Sequence, residues 1–103
     1  MKILQDFLGR RVRLTGERAA HILEQPEMRD LASDLAGALR APELVVESAS
    51  DESVLLCYRF VRETMVGDKW LCVVVKYRLP GAFVLTAYLT DKPKKGKQLW
   101  PKE

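Results

Sequence analysis

The chain has a single histidine, His21, and only two cysteines, Cys57 and Cys72. That scarcity excludes a zinc site of ordinary spacing, which gathers several Cys and His ligands close in sequence. Each cysteine sits inside an apolar run, where a free thiol behaves as a small buried hydrophobe, and the expected setting is reducing and cytoplasmic. No apolar stretch approaches the roughly 20 residues of a membrane span. The opening MKILQDFLGRR lacks the apolar core of a secretion signal. The glycines Gly9, Gly16, Gly37, Gly67, Gly81 and Gly96 stand alone, so no phosphate-cradling glycine loop is present. No serine occupies a nucleophile elbow. Asp30, Asp34, Glu47, Asp51 and Glu52 are scattered, which argues against phosphoryl chemistry on clustered carboxylates and metal ions. Neither a metal nor a cofactor is expected.

What is present fits one domain. A chain of 103 residues can bury a core without staples, and 48% apolar with 30% charged residues is ordinary for a globular protein. The net charge of +3 is mild but unevenly placed. Lys92, Lys94, Lys95, Lys97 and Lys102 all fall within residues 91–103. That basic tail would attract phosphate backbones, although a solvated tail is the plainer reading.

The periodicity changes once along the chain. Residues 1–9 suggest a short helical turn and residues 11–14 a short strand. Thr15 has the character of an N-cap, with Glu17 in the first turn where the helix dipole favours an acid. A helix is expected over residues 16–25, closed by Pro26, and a second over residues 26–40, with Met28, Leu31, Leu35, Ala38 and Leu39 on its apolar stripe. Four strands follow, over residues 43–48, 54–62, 70–78 and 82–90. The expected fold is α+β: a short strand, then two N-terminal helices packed on one face of a four-stranded antiparallel sheet.

A hairpin at Leu79-Pro80-Gly81 places Arg78 opposite Ala82, Val74 opposite Thr86 and Cys72 opposite Tyr88. Leu71, Val73, Val75, Phe83, Leu85, Ala87 and Leu89 then share the face under the helices, and Lys76, Arg78, Thr86 and Tyr88 share the open one. Over residues 54–62 two apolar sets compete, Val54, Leu56, Tyr58 and Phe60 against Leu55, Cys57 and Val61. Burying the first set is favoured and puts Arg59 on the open face.

On the first helix Arg18, His21 and Gln25 share a face. Histidine is the natural proton shuttle near neutral pH, while a lone helical histidine is more often structural. A metal-free set of His, Arg, Lys, Tyr and Thr suits RNA cleavage by the RNA's own 2′-hydroxyl: a base takes that proton, an acid protonates the leaving oxygen, and cations stabilise the phosphorane.

The strings VRLTGERAAHILEQPEM, LRAPELVVES, YRF, KWLCVVVK and FVLTAYLTD resemble the barnase–EndoU–colicin–RelE-like nuclease superfamily, most closely its small phage-associated members, over about residues 10–100. The resemblance implies two helices on a four-stranded antiparallel sheet and a metal-independent endoribonuclease of toxin type, with RNA as substrate and an antitoxin or immunity protein as partner. It points to Arg18, His21, Tyr58-Arg59, Lys76, Thr86 and Tyr88, with His21, Arg59 and Tyr88 as catalytic and Arg18, Lys76 and Thr86 as substrate-binding. The charge of the tail adds Lys94 and Lys95 as substrate-binding. Relatives often carry a second histidine where this chain has Gln25, and an aromatic where it has Ala19-Ala20.

Two other readings compete. One is a non-catalytic RNA- or protein-binding module that uses the open face and the tail. The other is a homodimer that buries an apolar patch of Trp70, Cys72, Val74 and Tyr88.

Overall fold

In a computed structural model of the chain, which describes residues 1–102, Thr15 is the N-cap expected of it. Its hydroxyl accepts from the Arg18 amide at 3.1 Å and starts α1 (Gly16–Leu23). Glu103, the last residue of the expected tail, lies outside the described residues. Before α1 come two strands, β1 (Lys2–Gln5) and β2 (Arg11–Leu14). After it come a 3-10 segment (Pro26–Leu31), α2 (Ala32–Arg40), and strands β3 (Leu44–Glu47), β4 (Val54–Thr64), β5 (Gly67–Arg78), β6 (Gly81–Thr90) and β7 (Gln98–Trp100).

The expected four-stranded antiparallel sheet is corrected to a seven-stranded mixed one, ordered β1-β2-β6-β5-β4-β3-β7. The β2–β6 pair is parallel and every other pair antiparallel. The helices are not N-terminal: they sit mid-chain, between β2 and β3. The β2-to-β6 crossover carries them onto one face. Residues 1–9 hold a strand rather than a helical turn, because residues 2–5 pair along their whole length with β2.

Two cores result. The larger lies under the helices and joins Ile22, Met28, Leu31, Leu35, Ala38 and Leu39 to sheet residues that include Val12, Val45, Leu55, Cys57, Leu71, Val73, Val75 and Val84. The smaller lies on the opposite face and contains Val46, Val54, Leu56, Tyr58, Cys72 and Val74, flanked by Trp70, Leu85 and Tyr88. Residues 91–97 lie over this second face as a strap. The Lys94 amide donates to the Tyr58 hydroxyl at 2.9 Å, Asp91 is ion-paired with Lys69 of β5, and the Glu47 amide donates to the Lys97 carbonyl at 2.9 Å. The strap ends in β7, which pairs with the outer edge of β3. A Cβ on Gly96 would fall 2.7 Å from a Val46 methyl and 2.8 Å from the Glu47 carbonyl oxygen, so only glycine fits this crossing.

The second core decides the orientation of β4. Val54, Leu56 and Tyr58 face the strap, and Leu55 and Cys57 face the helices. This is the reverse of the favoured sequence reading, and it turns Arg59 to the helix side. Val74 does pair with Thr86 and Cys72 with Tyr88. Nearer the hairpin, however, Arg78 pairs with Gly81 rather than Ala82, and a bulge between Val74 and Val75 absorbs the extra residue. Phe83 and Leu85 therefore leave the helix-side face, where Ala82 and Val84 take their place.

The remaining polar anchor is Asp6, the one buried charged residue among those described, at 3% exposure. Its carboxylate accepts from the Leu8 amide at 2.9 Å, the Arg10 amide at 2.8 Å, the Arg10 guanidinium at 2.7 Å and the Tyr77 hydroxyl at 2.7 Å. The turn between β1 and β2 is completed by Gly9 at φ +80, a conformation that glycine adopts without steric cost. Burial alone would raise the Asp6 pKa, but the hydrogen bonds from Tyr77, the Arg10 and Leu8 amides and the Arg10 guanidinium together hold it below the ordinary 3.8.

Three outcomes are expected. Asp6→Ala leaves a phenol and a guanidinium without their acceptor and should lower stability by about 3 kcal/mol in urea titration. Because the folded pKa is depressed, the carboxylate's contribution is complete above 3.8 and is lost as pH falls through the lowered value, so Asp6→Asn should flatten the acid end of the stability–pH curve. Gly96→Ala should cost roughly 1–3 kcal/mol by overpacking Val46, read by thermal melting.

Candidate functional site

Beyond Phe83, β6 has no strand partner on its β2 side, because the β2–β6 register ends at the Arg13–Phe83 pair. The chain leaves β2 at Leu14, caps at Thr15 and runs on as α1, which packs against β6. This places the first turns of α1 at the open edge of β6. Arg18 donates from Nη1 to the Leu85 carbonyl at 3.1 Å, at the bulge and one residue before Thr86. His21 is one turn further along α1, with its side chain 67% exposed and Nδ1 3.9 Å from Glu24 Oε1. Glu17, Arg18 and His21 line one shallow cleft. Arg13 holds its guanidinium 5.9 Å from the centre of the Phe83 ring, further along the same edge.

Arg18 and His21 are thus brought together at the β6 edge. Thr86 pairs with Val74 of the strap-side core and so turns its side chain to the face opposite α1. The other expected site residues also lie elsewhere. Arg59 donates to the Ala41 carbonyl at 2.6 Å and so closes the C-terminus of α2. Lys76 is ion-paired with Asp51, and that lysine, with the Ser53 hydroxyl and amide, holds the Asp51 carboxyl well below the usual carboxylate range. Tyr88 belongs to the core beneath the strap. Burial, reinforced by the neighbouring Cys72 and Tyr58, pushes its phenol far above the ordinary value of 10.0, so it stays protonated at physiological pH. Lys94 spends its amide on Tyr58 while its side chain, like that of Lys95, faces solvent. The apolar patch suggested as a dimer surface is largely sealed within the chain, with Cys72 at 0% and Val74 at 9% exposure.

The thiols are inert in this setting. Burial pushes Cys57 up to about 12 and Cys72 to about 11, far from the depressed values of nucleophilic cysteines. Among the described residues, no group of three or more His, Cys, Asp and Glu side chains is placed to hold a metal ion. No helix among them is long and apolar enough to cross a membrane.

Glu17, Arg13 and Phe83 join the candidate site only through the structure. Glu17 and His21 are spaced i, i+4, which sets two proton-transfer groups on one helical face and was legible in the sequence. The Arg13–Phe83 contact depends on the parallel β2–β6 register, for which the sequence carries no local signal. No family model, curated protein or solved structure matches this chain.

Arg59 serves the α2 terminus, so Arg59→Ala should lower stability by about 1 kcal/mol in denaturant titration and leave RNA affinity unchanged in a filter-binding assay. Lost RNA binding at unchanged stability would return Arg59 to the site.

Proposed function

We propose that the protein is a metal-independent endoribonuclease acting at the α1–β6 edge. The observation that carries this reading is the convergence of Glu17, Arg18 and His21 on one cleft, with Arg18 seated on the Leu85 carbonyl beside Thr86. The group supplies an acid–base pair and a cation in a space open to a polymer. Glu17 as carboxylate removes the proton from an RNA 2′-hydroxyl, and the 2′-oxygen attacks the adjacent phosphorus. His21 as imidazolium protonates the departing 5′-oxygen. The products are a 2′,3′-cyclic phosphate and a 5′-hydroxyl end, with the proton count balanced between the two side chains. Arg18 keeps guanidinium donors to spare after its bond to Leu85, and these stabilise charge on the non-bridging oxygens. Gln25, which cannot move protons, is not needed where Glu17 acts as the base. The sequence resemblance to the barnase–EndoU–colicin–RelE-like superfamily supports the same chemistry.

One observation favours a second reading, a non-catalytic RNA-binding module on this surface: Arg59, Lys76 and Tyr88 each have a structural occupation away from the cleft. Incubating a mixed RNA pool with pure protein in EDTA separates the two. The expected result is cleavage that leaves cyclic phosphate ends, reduced about 100-fold or more in His21→Ala and in Glu17→Gln. Equal cleavage by wild type and His21→Ala would mean a contaminating nuclease and sink the catalytic assignment. Binding without cleavage would establish the module instead.

A further inference from the structure

The cations along β6 follow a pattern that acid–base chemistry does not require. Val12 and Leu14 of β2 are buried and Arg11 and Arg13 are exposed, so the two arginines rise from one face of the strand at alternate positions. Register fixes where they stand on β6. Arg13 pairs with Phe83, Arg11 lines a cleft with Gly81 and Ala82, and Arg18 reaches in from α1 to Leu85. Arg11 and Arg13 are therefore keyed to residues 81 and 83, alternate positions of β6, and Arg18 to the bulged residue Leu85 that follows them. Alternate strand residues are about 6.6 Å apart, a separation close to that of successive phosphates in an extended nucleic-acid strand.

None of the three is neutralised. The ion pairs among the described residues are Arg10–Asp6, His21–Glu24, Lys69–Asp91 and Lys76–Asp51. Arg10 makes the contrast clear. It belongs to the same run of arginines, yet it is locked to the Asp6 carboxylate at 2.7 Å and lies 4.4 Å over the Tyr77 ring. Phe83 stands between Arg11 and Arg18 on the same line, and its ring is only partly covered.

We infer that Arg11, Arg13 and Arg18 form a track for three consecutive phosphates of unpaired RNA, with Phe83 as a platform for one base. Arg18, the last member of the track, also lines the Glu17–His21 cleft. This inference rests on the proposed function for the identity of the polyanion, and it adds that the substrate is single-stranded and engaged on one side of the scissile bond. Single-strand binders combine a cationic groove with aromatic stacking in this way. A duplex would satisfy the arginines equally but would offer Phe83 no exposed base face.

The test is fluorescence anisotropy with a labelled 2′-O-methyl oligouridine of about eight nucleotides, within the site sizes of such binders. This probe has no 2′-hydroxyl to attack, so wild-type protein can be used and binding is measured apart from cleavage. Each of Arg11→Ala and Arg13→Ala should reduce the slope of log affinity against log salt by about 0.7, the counterion release of one single-strand phosphate contact. The double variant should lose about twice that. Phe83→Leu should weaken binding severalfold with the salt slope unchanged. An unchanged slope in the double variant, or an RNA duplex of equal length bound as tightly as the single strand, would overturn the track. Reduced slopes without any RNA cleavage would keep the track and remove the catalysis. Cleavage with unchanged slopes would do the opposite.

Discussion

Asp6 ties together parts of the molecule that are far apart in sequence. Its two carboxylate oxygens collect the turn between β1 and β2, the Arg10 side chain and the Tyr77 hydroxyl of β5. The cost of burying a carboxylate is met because every lone pair finds a donor. With the turn fixed, Phe7 is held where its ring centre lies 5.6 Å from that of Trp100. Phe7 follows the strand at one end of the sheet order and Trp100 belongs to the strand at the other. The layer is therefore curled around the helix-side core, and its two outermost strands are pinned to each other. The same anchoring lies immediately before β2, which begins one residue after Arg10.

The strap imposes the complementary constraint. An α+β sheet commonly leaves one face to solvent. Here residues 91–97 cover that face, so β4 and β5 are buried on both sides for part of their length. Val54–Tyr58 and Leu71–Val75 are buried without interruption. What remains for recognition is the periphery: the α1–β6 edge, and the surface where β2 runs beside β6.

How far the sequence revealed this architecture varies by element. α1 was readable because Thr15, Glu17 and the Ile22–Leu23 pair agree on a helix start and an inner face. β5 and β6 were readable as strands, and their mid-strand pairs Val74–Thr86 and Cys72–Tyr88 hold in the structure. β1 reads KILQ with no alternation of apolar and polar residues, unlike the equally short RVRL of β2, and β7 spans only 3 residues. The face of β4 carries no mark in the sequence, since a strand buried on both sides has no polar half to show the outside, and the side on which Arg59 lies depends on that face. The bulge near Leu85 is a backbone event with no residue signature, and it moved Phe83 and Leu85 to the other face. Of the candidate site, Arg18 and His21 were visible as helical neighbours. Their meeting with β6 depends on a parallel pairing made across the whole helical crossover.

The two buried thiols have a use that follows from where they lie. Cys57 sits in the core beneath the helices and Cys72 in the core beneath the strap, on neighbouring strands that point them to opposite faces. A thiol-specific reagent reaches Cys72 when the C-terminal segment lifts and Cys57 only when the helical layer separates. The native sequence therefore carries one reporter for each layer, and the order in which they are modified gives the order in which the protein comes apart.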